Sequence, residues 1–81
     1  MNTKKQDHEK ETSDFYGKVV ARLGNKHRVI ICRNNIQYIV QKAMTNGWQG
    51  FSYHTKVSSL ERKVSQMKLP IDALSDLPDM C

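Results

Sequence analysis

Three histidines and two cysteines are the side chains of this 81-residue chain best suited to nucleophilic, general-base or metal chemistry. Their placement argues against all three. His8 sits in a polar N-terminal run, His27 and His54 at the ends of β-rich segments, Cys32 inside such a segment, and Cys81 is the last residue. Neither His-x-x-x-His nor Cys-x-x-Cys occurs, so the spacing that places two metal ligands on one turn is missing. Cys32 with His54 is the one nucleophile–base pairing the order of segments allows. Nothing in the local sequence would lower that thiol's pKa or orient that imidazole. No glycine-rich phosphate loop is present, and the carboxylates are scattered over both ends of the chain. The expectation is a protein that is not an enzyme and that carries no cofactor and no metal.

Binding chemistry is better represented. Arg28, Gln37, Gln41, Trp48, Ser52 and His54 alternate with apolar residues along three β-rich runs. Side chains two apart in a strand share a face, so this set is expected on one side of a sheet. An indole for stacking or anchoring, amides and a hydroxyl for hydrogen bonds, and a guanidinium suit either a protein interface or single-stranded nucleic acid. A third possibility is that residues 15–23 or the C-terminal segment cover this face. Lys56, Arg62, Lys63 and Lys68 form a separate basic stripe along a helical segment, a solvated face by default and a phosphate-contacting one if it is functional.

The elements that would position these residues are legible at the centre of the chain. Arg28 to Arg33 is rich in β-branched residues, Ile36 to Lys42 is a second such run, and Trp48 to His54 a third. Asn34-Asn35 and Asn46-Gly47 separate them, both compatible with two-residue hairpin turns. Those turns pair Val29 with Val40, Ile31 with Tyr38, Lys42 with Phe51, and Val40 with Tyr53. One face then carries Val29, Ile31, Ile36, Tyr38, Val40, Phe51 and Tyr53 as the core side. From Thr55 to Met67, Val57, Leu60, Val64 and Met67 recur at helical spacing, giving one apolar stripe to cover that face. Thr55, or Ser58 with Glu61, is placed to cap this helix, and Pro70 to stop it. Phe15 to Leu23 has near-helical apolar spacing and is expected as a short helix, with an extended segment as the alternative. The fold class is α+β: a three-stranded antiparallel sheet of two hairpins with one amphipathic helix on one face. Residues 1–14 are expected as a disordered polar arm, 15–68 as one small domain, and 69–81 as an acidic tail in which Ile71 to Leu77 can form a short helix docked beside the core.

Charge is unevenly distributed. The total is +5, made of +3 over residues 1–28, +5 over 29–68 and −3 over 69–81. A basic centre favours anionic partners. No run approaches the roughly 20 apolar residues of a membrane span, and residues 1–10 are polar throughout, so the expectation is no secretory signal and a cytoplasmic, reducing location. A core this small gains from self-association, which makes a homodimer a reasonable expectation.

The segment from His27 through Lys42, with Arg-Val-Ile-Ile-Cys-Arg and Ile-Gln-Tyr-Ile, followed by Trp48-Gln49-Gly50, resembles a pattern in short proteins encoded by bacterial prophages and plasmids. The pattern covers residues 27–63 and carries no catalytic or binding residues of its own. This chain has Tyr38 and Met44 where the pattern would place a tryptophan and a basic residue. The resemblance implies a mobile-element setting, in which small proteins act by binding, including as inhibitors of host defence complexes such as CRISPR effectors. The expected partner is therefore a protein or nucleoprotein complex, with a small nucleic-acid-binding or regulatory protein as the alternative.

Overall fold

The computed structural model describes residues 11–13, 16–45 and 47–79. Four strands, β1 (Val19–Arg22), β2 (His27–Ile31), β3 (Tyr38–Met44) and β4 (Gly47–His54), form one antiparallel meander in chain order. One helix, α1 (Val57–Gln66), and a 3-10 helix (Asp72–Leu74) follow. The α+β class stands, with four strands where the sequence suggested three.

The central hairpin has the expected register, with Val29 opposite Val40 and Ile31 opposite Tyr38. Its turn is longer than two residues. The Asn35 N–H donates to the Cys32 carbonyl (2.9 Å), and Asn35 takes a left-handed φ of 60°. Asparagine tolerates that conformation better than most residues. Lys18 reaches the same turn, donating from Nζ to Asn35 Oδ1 (2.8 Å) and to the Arg33 carbonyl (3.1 Å). The extra loop residues are added equally on both sides of Asn34-Asn35, so the register is unchanged.

Residues 19–22 form a strand and not part of a helix. Val19 pairs with Ile30, Ala21 with Val29 and Arg22 with Arg28, with a bulge between Val19 and Ala21. The reason is that both sheet faces are covered. Val19 packs with Ile30 and Ile39 on one face, while Val20, Ala21 and Leu23 join the core that α1 and the 3-10 helix share on the other. A short helix could bury only one side of this segment. Gly24, at φ 81°, then reverses the chain into β2.

The third hairpin departs from the expected register. Met44 pairs with Gly47, so the loop is residues 45–46, of which Asn46 lies outside the described residues. The pairing slips again between Gln41 and Val40, leaving Phe51 as the extra residue of a bulge. Beyond it Ser52 stands opposite Val40, Tyr53 opposite Ile39 and His54 opposite Tyr38. A one-residue shift exchanges the two faces. Ser52 and His54 therefore join the helix side, and Tyr53 moves to the opposite one. Ile36, Phe51 and Tyr53, expected in the core, are exposed instead.

The core on the helix side joins Val29, Tyr38 and Val40 of the sheet to Val57, Leu60 and Val64 of α1. The apolar stripe of the helix thus faces the sheet as its spacing predicts. Its N-terminus differs: Lys56 is the N-cap residue and makes no side-chain cap bond. The tail takes that role, with the Val57 N–H donating to the Asp79 carbonyl (2.8 Å). At the other end the Lys68 N–H donates to Ser65 and the Leu69 N–H to Val64. This is a Schellman closure, with Lys68 at φ 60° in the position glycine prefers. Residues 69–79 then lie against the domain. Leu74 is 1% exposed within the core, Leu69 and Leu77 pack beside it, and the Tyr38 hydroxyl donates to the Pro78 carbonyl (2.8 Å). The helix expected over 71–77 is reduced to the 3-10 turn Asp72–Leu74.

Candidate functional site

The face expected to bind a partner is occupied by the chain itself. Residues 1–10 and 14 of the expected polar arm lie outside the described residues, but Glu11, Thr12 and Ser13 cross this side of the sheet. Arg28 is fully buried there. Its Nε donates to Gln41 Oε1 (2.6 Å), and its Nη2 donates to the carbonyls of Glu11 (3.0 Å) and Ser13 (2.8 Å). The guanidinium carbon lies 4.3 Å from the centre of the Trp48 ring. Gln41 Nε2 donates to the same Glu11 carbonyl (2.8 Å). A buried cation is expensive unless acceptors and a polarisable face surround it, and these groups supply both. Thr12 accepts from the Trp48 N–H (2.8 Å). A Cβ at Gly47 would collide with the Thr12 carbonyl oxygen, so glycine is what lets the two backbones approach.

Arg28, Gln41 and Trp48 are therefore brought together, as a structural cluster under Glu11–Ser13. Gln37 stands apart, its carbonyl accepting from the Cys32 N–H (3.0 Å). Ser52 and His54 are on the other face because of the Phe51 bulge. Of the basic helix residues, Lys56, Arg62 and Lys68 are exposed and Lys63 is half-buried.

Ser52 and His54 form an arrangement that the sequence analysis missed. Ser52 Oγ lies 2.6 Å from His54 Nε2, and His54 Nδ1 lies 2.8 Å from Ser59 Oγ. The Ser-x-His spacing was the available signal, since alternate strand residues share a face. Chemically the relay is weak. Burial, and then the Lys63 cation, push the imidazole below its ordinary pKa. A general base must become an imidazolium in the reaction, and Ser59 offers no carboxylate to stabilise it. The three side chains join the end of β4 to the first turn of α1.

Cys32 has a more polarised setting. Burial pushes its thiol up, but the N–H groups of Ile36, Gln37 and Asn34 oppose this, and the thiol lies below its ordinary pKa. The Ile36 N–H lies 3.3 Å from the sulfur. Cys32 is only 5% exposed and packs with Tyr16, Ile30 and Ile39, so larger electrophiles have little access to it. Tyr16 donates to the Ile31 carbonyl (2.7 Å). Burial, followed by Glu11 and Cys32, raises its phenol pKa. Among the described residues no three His, Cys, Asp or Glu side chains gather as a metal site. A cleft of about 380 Å³ at the start of α1 is lined by Lys56, Val57, Ser58 and Asp79, where the tail already takes the Val57 N–H.

What remains available to a partner, among the described residues, is the exposed turns and strand residues of the sheet and the outer side of the helix. From Phe15 to Leu60 the chain carries seven Lys or Arg and no Asp or Glu. All four strands and the turns between them fall in this interval. Arg22, Lys26, Arg33, Lys42 and Lys56 are exposed within it. Phe51 and Tyr53 add aromatic surface on β4, 37% and 56% exposed. Phe51 meets His27 edge-on at 6.1 Å. No helix is long and apolar enough to cross a membrane among the described residues. No protein-family model, curated protein or solved structure matches this chain.

Proposed function

We propose that this chain is a small non-catalytic binding protein of a mobile element, acting in the cytoplasm on a protein or nucleoprotein partner with an acidic contact surface. The observation that carries this reading is the charge of the strands and their turns, where residues 15–60 hold seven Lys or Arg and no carboxylate of their own, while the Glu11 carboxylate laid against them is held at the Arg33 N–H (2.8 Å). Such a surface attracts acidic partners over a distance comparable to the Debye length and repels basic ones. The weak Ser52–His54–Ser59 relay supports the non-catalytic part. Inhibition of a host defence complex, in the manner of an anti-CRISPR protein, is the concrete form the prophage and plasmid resemblance suggests.

Direct nucleic-acid binding is the second reading, favoured by the exposed Arg62 on α1 and Lys56 and Lys68 at its two ends. Capture of partners from the native host by the full chain, at low and at high salt, tests the first. A protein that is retained at low salt, released by salt and lost when Arg22, Lys26 and Lys42 are together replaced by Glu supports it. Retention unaffected by that triple replacement overturns it. Mobility shifts of nucleic acid, with a salt dependence set by the phosphates neutralised, would move the assignment to the second reading.

A further inference from the structure

We propose that the outer edge of β4 takes an acidic, extended peptide segment of a partner protein as a fifth strand. This rests on the reading of the sheet as a surface for acidic partners, and it names the mode and the place.

The hydrogen-bond phase of the sheet identifies the groups. Cys32 donates to the Gln37 carbonyl, and Ala43 to the Lys26 carbonyl. Successive residues of a strand direct their main-chain groups to opposite sides. Ile39, Gln41 and Ala43 therefore turn theirs towards β2. Their partners on β4 are Tyr53, Gly50 and Trp48, and these turn theirs outward, away from the sheet. At Trp48 this is seen directly, because its N–H is taken by the Thr12 carbonyl. An added segment thus already bonds to this edge at one point. Among the described residues, no main-chain hydrogen bond meets Gly50 or Tyr53 on the outer side.

The edge is also little defended. Natural edge strands are protected by lysine, proline or other charges. Gly47–His54 contains no proline and no Lys, Arg, Asp or Glu. The bulge at Phe51 is its one irregularity. Phe51 and Tyr53 stand exposed and offer apolar area to the side chains of an incoming strand.

Charge selects the occupant. Lys42 lies across the ladder from Gln49 and Gly47–His54 carries no carboxylate; Lys56 follows β4 directly and shares its cleft with Asp79. A second copy of the chain would bring the same positive sheet against itself. An extended segment with Asp or Glu at alternate positions matches both the main-chain groups and the surrounding cations.

The test uses the full chain and a fluorescent peptide of about ten residues, long enough for one strand, alternating Glu with Val. Three versions are compared: the parent, one N-methylated at alternate residues, and one with Lys for Glu. Expected results are saturable binding of the parent, at least about tenfold weaker binding of both others, and slowed amide exchange at Gly50 and Tyr53 in the complex. Equal binding of the N-methylated peptide, or unprotected Gly50 and Tyr53 amides, overturns strand addition. If such binding still discriminates Glu from Lys, the acidic-partner reading stands without it. If the parent does not bind at low salt, both fall. Light scattering that shows a dimer protecting the same amides would assign the edge to a second copy and overturn the proposal.

Discussion

Replacing Leu74 by alanine tests whether the acidic tail is part of the domain or an appendage. Leu74 is 1% exposed and packs with Tyr38, Val57, Leu60 and Val64. The change removes three carbons, worth about 2.4 kcal/mol of transfer free energy at ~0.8 kcal/mol each. The residual cavity adds to this, and buried Leu→Ala changes span about 2.7–5 kcal/mol. The 3-10 helix lies near the protein surface and can partly collapse into the gap, so about 3 kcal/mol is expected. A domain of this size has a total stability of only roughly 4–12 kcal/mol. The midpoint of thermal unfolding should fall by about 12–24 °C, at ~4–8 °C per kcal/mol. Urea unfolding followed by the fluorescence of Trp48, the single tryptophan, gives the free-energy change directly. A loss below about 1 kcal/mol would be that of an ordinary surface substitution. It would refute the docking of residues 69–79 and with it the capping of α1 by Asp79.

Three further outcomes follow from local geometry. Gly50→Ala should destabilise by about 1–3 kcal/mol through overpacking, because a Cβ there would sit 2.8 Å from Ile39 Cγ2 and 3.0 Å from the Tyr53 hydroxyl; an unchanged urea midpoint would contradict the bulged register. Lys68→Gly should stabilise by roughly 0.5–1 kcal/mol by relieving the left-handed C′ position, while Lys68→Ala should be near neutral, both read from denaturation midpoints. His54 titrates below its ordinary value when folded, so the unfolded chain binds the proton more readily. Its contribution is present above the unfolded pKa and is lost as pH falls through that value towards the folded one. The decrease in urea midpoint between about pH 7.5 and about pH 5.5 should therefore be smaller in His54→Asn than in the parent, and an identical decrease would count against it.

The central hairpin and the helix were readable from the residues. Val29, Ile31, Tyr38 and Val40 are bulky and alternate on either side of one polar turn, so a single register puts them all on the core side, with Ile31 partly buried at its margin. Val57, Leu60 and Val64 mark one helical face, and burial of an apolar stripe does not depend on what lies far away in the chain. The third hairpin was less determinate. Asn46-Gly47 is a strong turn signal, yet Gly47 serves the close approach of Thr12, and the Phe51 bulge then exchanges the faces of Ser52, Tyr53 and His54. A bulge adds one residue without a distinctive composition, and here it decides which side chains can meet a partner.

Periodicity alone did not identify β1 either, since Val19, Val20 and Leu23 fit a helix as well as a bulged strand. Only a sheet covered on both faces makes the strand the better burial. The covering segment left no pattern at all. Glu11, Thr12 and Ser13 hold Arg28, Gln41 and Trp48 largely through main-chain carbonyls, which every residue possesses. The chain order of apolar and basic residues thus determined a positively charged sheet with a helix on it. Which of its surfaces is buried by the chain's own ends was decided by backbone groups meeting across the tertiary structure.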